Sequence, residues 1–202
     1  PKTGSDGLGY EIARSLGHSI TPLVLPALVP LVLEPTCFIR GLSGLTLPAT
    51  LELRSATGKR LVTRTDSTLC THFGLSGPSV LDISRHYLHA AAVDAGTRLF
   101  INWLPGENVD SVDSALVDLA RRPGTGAIGR YLEKRLPQRL IAAVCEHAGV
   151  DPNHGAATLS RPQRRTLASA LTATCLPVAG DRGFAYAEVT AGGVPLKELH
   201  LQ

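Results

Sequence analysis

The chain changes from an extended to a helical pattern within Thr71-His72-Phe73-Gly74-Leu75-Ser76-Gly77-Pro78-Ser79-Val80-Leu81-Asp82-Ile83-Ser84. The extended part ends at the first glycine. Ser76 and Pro78 then predict the start of a helix, because serine caps helices and proline fits their first turn. Unpaired N–H groups and the helix dipole at that end favour an anionic or electron-rich group above Gly74 and Gly77. The stretch therefore predicts either a ligand-facing turn or an ordinary capped junction between a strand and a helix.

The segments around this stretch predict strands. Residues 23–33 form an apolar extended run interrupted by prolines, which fits the edge of a sheet or the rim of a barrel. Residues 47–54 and 60–65 flank Ala56-Thr57-Gly58-Lys59 and predict a hairpin, with Gly58 at the positive-φ position of its turn. The helix that begins at Pro78 is expected to reach about Ala92, and residues 97–104 predict a further strand.

The second half of the chain is mainly helical. Apolar periodicity and breakers predict helices over residues 109–121, 128–135, 137–148 and 161–174, and extended pattern returns at residues 176–178 and 186–190. This order predicts an α+β fold in which a β-barrel-like unit is interrupted by a small helical subdomain. We assign residues 21–107 and 175–202 to the barrel-like unit, residues 108–174 to the helical subdomain and residues 1–20, with one short helix, to a separate segment.

Size and composition limit the function. With 202 residues and 44% hydrophobic residues, the chain is long enough to bury a sizeable core. Aromatic residues make up only 4% and the basic residues are scattered, so we predict no nucleic-acid partner. Prolines interrupt the apolar run at residues 20–33 and no leader pattern is visible, so we expect no membrane span and a cytoplasmic location. The start at Pro1 and the absence of methionine lead us to expect an excised region of a longer protein.

The cysteines and histidines do not predict a metal site. The four cysteines are far apart in sequence, so buried reduced thiols are expected. Cys70 and His72 would share a face of a strand, whereas Cys145 and His147 would point in nearly opposite directions on a helix. His72 is compatible with either a ligand-facing or a core position.

Ser76 and His72 are the candidate catalytic residues. A serine between glycines at a turn before a helix is similar to a nucleophile elbow, but that pattern requires glycine two residues after the serine, where this chain has Pro78. His72 and Asp82 are close in sequence, yet the partners of a catalytic triad come together in space from separate loops. A capped turn therefore explains Ser76 better than a serine hydrolase does.

Three segments together resemble a bacterial family of FAD-dependent flavoproteins, whose members are described as aminoacetone-oxidase-type or bile-acid-reductase-like oxidoreductases. They are Pro1-Lys2-Thr3-Gly4-Ser5-Asp6-Gly7-Leu8-Gly9-Tyr10, Thr71-His72-Phe73-Gly74-Leu75-Ser76-Gly77-Pro78 and Ala187-Glu188-Val189-Thr190-Ala191-Gly192-Gly193-Val194. The segments occur in the order of the family and bracket nearly the whole chain. In that family a Rossmann-like FAD domain is split by an insert made of a β-barrel and a helical subdomain.

The resemblance implies what each part of the chain does. Residues 1–20 would be the end of the first half of the FAD domain, and the cofactor-facing candidates are Thr3, Gly4, Ser5, Asp6, Gly7, Gly74, Gly77, Thr190, Gly192 and Gly193. His72 and Ser76 would face the flavin or the substrate cleft. The fingerprint that binds the ADP part of FAD and the segment that completes the flavin site are missing from this chain, so we expect the isolated fragment neither to hold FAD tightly nor to be active.

We therefore interpret the chain as the substrate-side insert of an FAD-dependent oxidoreductase, covering the flavin while the cofactor carries out hydride chemistry. Its expected partners are the remaining FAD-binding halves of the parent and a small-molecule substrate, with NAD(P)H as a possible reductant. The alternative is a free-standing, non-enzymatic module that binds a small anion at the helix start near Ser76.

Overall fold

The computed structural model describes residues 6–122 and 126–199. Its helices are α1 (Leu8–Ser15), α2 (Pro78–Val93), α3 (Val109–Arg121), α4 (Ile128–Leu132), α5 (Gln138–His147) and α6 (Arg161–Thr172). Its strands are β1 (Leu25–Ala27), β2 (Leu31–Leu33), β3 (Thr46–Arg54), β4 (Arg60–Thr71), β5 (Gly74–Ser76), β6 (Arg98–Asn102), β7 (Thr174–Leu176), β8 (Val178–Asp181) and β9 (Val189–Ala191). No helix in residues 6–122 or 126–199 is long and apolar enough to cross a membrane.

The predicted hairpin is confirmed. Strands β3 and β4 pair antiparallel from Thr46 opposite Leu69 to Arg54 opposite Arg60. Gly58 lies in the connecting turn with φ +81°. Alternate side chains of β3 point into the core, namely Leu47, Ala49, Leu51 and Leu53. This alternation fixes the register, because a slip of one residue would move all four to solvent.

The hairpin belongs to a curved antiparallel sheet of seven strands, ordered β7-β6-β3-β4-β5-β2-β8. Its two edge strands, β7 and β8, are consecutive in the chain and separated only by Pro177. A single residue spans little more than 3 Å, so the sheet must curl until the end of β7 meets the start of β8, at a point that we call the seam. The backbone N–H of Glu34 donates to the carbonyl oxygen of Pro177 (2.9 Å), so the pairing of β2 with β8 continues up to the seam. The predicted α+β fold with a barrel-like sheet is therefore confirmed.

The extended run predicted over residues 23–33 divides into β1 and β2. Between them Leu28 adopts a positive φ of 49° and the backbone N–H of Val29 donates to Ser84 Oγ on α2 (3.2 Å). Strand β1 lies outside the seven-stranded sheet and, within the described residues, pairs with β9 alone, with Pro26 opposite Thr190. An edge position tolerates Pro26 because proline has no N–H to donate.

The helix predicted after Pro78 is confirmed, but its predicted cap is wrong. Ser76 is the last residue of β5 and pairs with Leu69, and the residue before α2 is Gly77, with φ +91°. Pro78 occupies the first turn as expected. Strand β5 has only three residues, too few to show the alternation that reveals a strand in sequence.

Helices α3 to α6 occur between β6 and β7, and they share one continuous core with the sheet. Helix α3 has the predicted bounds. The predicted helices over residues 128–135 and 161–174 end earlier, at Leu132 and Thr172. Asn108 and Ser160 begin α3 and α6 with reciprocal capping boxes, which satisfy N–H groups that lack partners within the helix. The division into domains at residues 20, 107 and 174 stays a prediction.

The two ends of the described chain lie together. Strands β1 and β9 run antiparallel, and beyond them Glu198 accepts hydrogen bonds from the backbone N–H and the hydroxyl of Ser19 and contacts His18 Nδ1 (3.2 Å). Helix α1 precedes this junction and buries none of its residues. The chain thus enters and leaves the sheet through one pair of adjacent strands.

Candidate functional site

His72 lies at the tip of the turn between β4 and β5. Its side chain is exposed and packs edge-on against Phe73, with ring centroids 5.1 Å apart. Its backbone carbonyl accepts a hydrogen bond from Arg40 Nε (2.8 Å). The guanidinium of Arg182 lies over two rings, 4.5 Å from the centroid of Phe73 and 3.9 Å from the centroid of Tyr186. The turn is therefore held by stacked aromatic and cationic groups.

Ser76 and His72 do not form a catalytic pair. Ser76 lies two strand positions beyond Gly74, which places it about 7 Å further from the turn. Asp82, the third residue considered, forms an ion pair with Arg64 instead. No nucleophile and base are brought within hydrogen-bond distance here, so the geometry gives no support to a serine hydrolase.

Gly74 and Gly77 are required by packing between backbones. A Cβ at Gly74, whose φ is +154°, would lie 2.7 Å from Leu33 N and closer still to the Leu31 carbonyl oxygen. A Cβ at Gly77 would lie 2.9 Å from the Ser67 carbonyl oxygen. The space beside both glycines is thus occupied by protein. Their predicted role toward a cofactor stays a prediction, and strand pairing explains why these positions are glycine.

Buried hydroxyls, which the sequence did not single out, hold the start of α2. Ser79 Oγ lies 2.6 Å from Thr68 Oγ1 and donates to the Ser67 carbonyl oxygen (3.2 Å). Both hydroxyl side chains belong to buried residues, where an unpaired hydroxyl would be costly. This pair positions the helix that carries the polar side chains described below.

The first and third family-like segments meet at the junction of the chain ends. Thr3, Gly4 and Ser5 lie outside the described residues. Asp6 Oδ1 accepts from the backbone N–H of Leu8 (3.0 Å) at the start of α1, and Gly7 follows with φ +94°. Gly193 faces Tyr10 of α1, since a Cβ there would lie 3.9 Å from Tyr10 Cε1. The structure therefore brings Gly7 and Gly193 to the same helix, on either side of Tyr10.

Thr190 lies on β9, and Gly192 follows directly after that strand. Thr190 pairs with Pro26 across the β1–β9 ribbon. Gly192 packs against the segment that leads into β1, since a Cβ there would lie 2.8 Å from Thr21 Oγ1 and closer to the Leu23 carbonyl oxygen. Within residues 6–122 and 126–199, no hydrogen bond or ring contact joins this junction to the turn at residues 72–77. Among the described residues, the middle segment is therefore not joined to the other two by contacts of these two kinds.

A cavity of about 710 Å³ opens beside Gly192, between the junction, helix α2 and the β3–β4 hairpin. Helix α2 contributes Arg85, His86 and His89 to its wall. His86 Nε2 is buried and has no hydrogen-bond partner in the described chain. Burial, followed by the nearby Arg85, lowers the pKa of His86 below its usual 6.5. Sequence reasoning missed this group. The only signal was the close spacing of one arginine and two histidines on α2.

The cysteines are poor candidates for ligands or nucleophiles. Burial raises the pKa of Cys70 to about 12 and that of Cys145 to about 11, so both are protonated thiols at neutral pH. Across the described parts of the chain, no three histidine, cysteine, aspartate or glutamate side chains are grouped so that they could hold a metal ion.

Comparisons with known proteins match nearly the whole chain. The profile of a protein family described as "HI0933-like protein barrel and H2TH domain" matches residues 25–189. The chain is 29% identical over 198 residues to 3-dehydro-bile acid delta(4,6)-reductase of Clostridium scindens, which covers 98% of this chain and 47% of that protein. It is 30% identical over 201 residues to the ribosomal RNA dihydrouridine synthase of Escherichia coli. It is 29% identical over the same length to that of Haemophilus influenzae.

These last two alignments cover 98% of this chain and 46% of each relative. The chain therefore spans about half the length of the curated relatives it matches.

Proposed function

This chain belongs to the HI0933-like protein barrel and H2TH domain family, and from that premise we propose that it is the substrate-side insert of a longer, FAD-dependent oxidoreductase. The family comprises FAD-dependent oxidoreductase-like proteins, and one of the relatives above is named a reductase. FAD in the parent supplies the hydride chemistry. The insert contributes a cover over the flavin and a wall of the substrate cleft.

The observation that carries the proposal is the β1–β9 ribbon. The family match begins at Leu25, the first residue of β1, and ends at Val189, the first residue of β9. The residues outside this ribbon, 6–24 and 192–199, bond to one another through Thr21, Gly193, Ser19 and Glu198. An insert in a split domain has to leave and return at one place, and adjacent antiparallel strands provide that geometry.

Helix α1 supports the proposal through its uncovered apolar side. Leu8 and Ile12 of α1 and Leu16, the residue that ends it, recur every four residues and so lie on one side, where they are 54%, 51% and 72% exposed. An apolar stripe of this kind normally packs against another element. We assign that role to the FAD-binding halves of the parent, because α1 lies outside the matched family domain and adjoins its entry strand.

The glycines at the junction differ in how well they suit a cofactor. Among the described residues, a Cβ at Gly7 or Gly193 would meet only the ring of Tyr10, at 3.8 and 3.9 Å, which leaves room for close approach by a ligand. At Gly192 the equivalent space is filled by the chain itself. If FAD in the parent contacts this chain, Asp6, Gly7 and Gly193 are therefore the residues that fit such a contact.

An absorbance spectrum tests the proposal. A longer protein that carries both flanking halves should be purified with bound flavin, whereas the present chain alone should show none. Ile12→Glu in the longer protein should reduce flavin content at least fivefold, because the charge blocks packing of α1. Val93→Glu is the matched control, since Val93 is an exposed apolar residue at the far end of α2. A longer protein without flavin would overturn the assignment.

Kinetics of the flavin-containing protein test His72, Ser76 and the substrate. His72→Ala and Ser76→Ala should change the rate of flavin reduction or reoxidation if the turn at residues 72–77 faces the cleft, and wild-type rates would remove both residues from the site.

The substrate we propose is a small molecule, with NAD(P)H as reductant. Turnover of RNA and of no small molecule would overturn this part of the proposal. A free-standing module for a small anion stays the alternative. Anion binding by the present chain, together with a longer protein that lacks flavin, would favour it.

A further inference from the structure

The cavity beside α2 has a mostly apolar wall. Its apolar lining comes from three separate parts of the fold and includes Leu23, Leu25, Leu53, Leu61, Val62 and Ala90. Its volume of about 710 Å³ lies within the range of sites that bind small organic molecules. A ligand with an apolar body of one to three rings fits both the size and the lining.

Most polar side chains of the cavity lie on α2, and Arg85 supplies a positive charge among them. Arg85 has one anionic neighbour in the described chain, Asp82, at 4.0 Å, and Asp82 is already engaged by Arg64. The charge of Arg85 is therefore only partly compensated. His86 adds a buried ring nitrogen without a partner, and such groups are rare because an unmade hydrogen bond is costly. His89 completes the cluster one turn further along the helix.

We propose that this cavity binds a small molecule with an apolar body and one acidic group, in which Arg85 pairs with the acid and His86 Nε2 accepts or donates a hydrogen bond. Arginine matches the geometry of carboxylates and sulfonates through two parallel N–H groups. The apolar body lies against Leu53, Leu61 and Val62 of the hairpin, and Thr21 and Gly192 of the junction also line the cavity. This site does not depend on the presence of a flavin.

Two fluorescent dyes with the same ring skeleton test the proposal. 1-Anilinonaphthalene-8-sulfonate carries an acidic group, and N-phenyl-1-naphthylamine is its neutral counterpart. The folded chain should bind the sulfonate with one-to-one stoichiometry and at least fivefold more tightly than the neutral dye. Arg85→Gln should weaken sulfonate binding about five- to tenfold and change binding of the neutral dye less than twofold. Arg161→Gln, on α6, is the charge-matched control and should change neither.

A second variant addresses the apolar part of the site. Ala90→Phe fills the cavity from α2 and should weaken binding of both dyes at least fivefold. Circular dichroism and the fluorescence of Trp103, the single and buried tryptophan, report whether each variant keeps its fold. If Ala90→Phe unfolds the chain, the arginine series alone decides.

Three results would overturn the inference. The first is equal affinity for the two dyes, and the second is an unchanged affinity for the sulfonate in Arg85→Gln. The third is loss of the site in a longer protein that carries the flanking halves, because the cavity would then be filled by the parent. The flavin spectrum of that longer protein is read separately, so failure here and failure of the oxidoreductase assignment are distinguished.

Discussion

Thr21 and Gly193 form two hydrogen bonds with each other, and each residue donates one of them. The backbone N–H of Thr21 donates to the carbonyl oxygen of Gly193 (2.8 Å), and the N–H of Gly193 donates to Thr21 Oγ1 (2.9 Å). The same hydroxyl donates to the carbonyl oxygen of Leu23 (3.0 Å). One threonine side chain thus joins residues 172 positions apart and fixes the junction where the chain enters and leaves the sheet.

Thr21→Val should loosen this junction. Valine keeps the shape of threonine but removes the acceptor for Gly193 N–H, at a cost of about 1–2 kcal/mol for an unsatisfied, half-buried donor. We expect the amide proton of Gly193 to exchange with solvent at least fivefold faster, measured by NMR. Thr21→Ser retains the hydroxyl and is the control. Equal exchange rates in both variants would contradict this account of the junction.

Gly74→Ala should destabilise the sheet far more than Gly58→Ala. Both glycines have positive φ, but a Cβ at Gly74 collides with the backbone of β2 whereas a Cβ at Gly58 meets nothing within 4 Å. The positive φ alone costs an alanine about 1–2 kcal/mol relative to glycine. We therefore expect about that loss for Gly58→Ala and a loss above about 3 kcal/mol for Gly74→Ala, from urea unfolding followed by Trp103 fluorescence. Similar losses would show that β2 moves aside.

Asn108→Ala and Ser76→Ala separate a real helix cap from an expected one. Asn108 Oδ1 accepts from the backbone N–H groups of Asp110 and Ser111, both at 2.9 Å. Removing it should lower the free energy of unfolding by about 1 kcal/mol. Ser76→Ala should leave the free energy of unfolding within about 0.5 kcal/mol of the unsubstituted chain, since Ser76 does not cap α2. A loss near 1 kcal/mol for Ser76→Ala would restore the cap that the sequence suggested.

His86 should make stability depend on pH. Its folded pKa lies below the usual value because of burial and the neighbouring Arg85, Arg64 and His89, while Asp82 acts in the opposite direction. As pH falls below about 6.5, the unfolded chain takes up the proton before the folded one does, so the free energy of unfolding decreases until the folded pKa is passed. The midpoints of urea unfolding at pH 7.5 and 5.0 should therefore differ less in His86→Gln than in the unsubstituted chain. An identical difference in the two would exclude His86 as the source.

Local patterns in the sequence predicted much of the fold. The β3–β4 hairpin is visible because Leu51 and Leu53 alternate with polar residues around a glycine turn. The bounds of α3 were predicted from apolar periodicity and helix breakers, and the structure adds that Asn108 caps its start. Strand β5 was missed because three residues carry no periodicity, and this error also moved the expected helix cap from Gly77 to Ser76.

The candidate site was less predictable because its parts are distant in sequence. The cavity combines Thr21, the hairpin, α2 and Gly192, which only the curved sheet and the β1–β9 ribbon bring together. The seam at Pro177 could not be predicted from the sequence either. A single proline between two short extended segments does not indicate that these segments lie at opposite ends of the strand order. The glycines at residues 74 and 77 were recognised as special, and the structure supplies a packing reason for them.

The seam at Pro177 also determines when the sheet can be completed during synthesis on the ribosome. Strand β6 ends at Asn102, but both edge strands, β7 and β8, follow residues 103–173. At about 5–20 residues per second, the nascent sheet waits about 4–14 s with the free edges of β6 and β2 exposed. Unpaired strand edges are templates for association with other chains. Co-translational chaperones would therefore protect this protein most during the interval in which its helices α3 to α6 are being made.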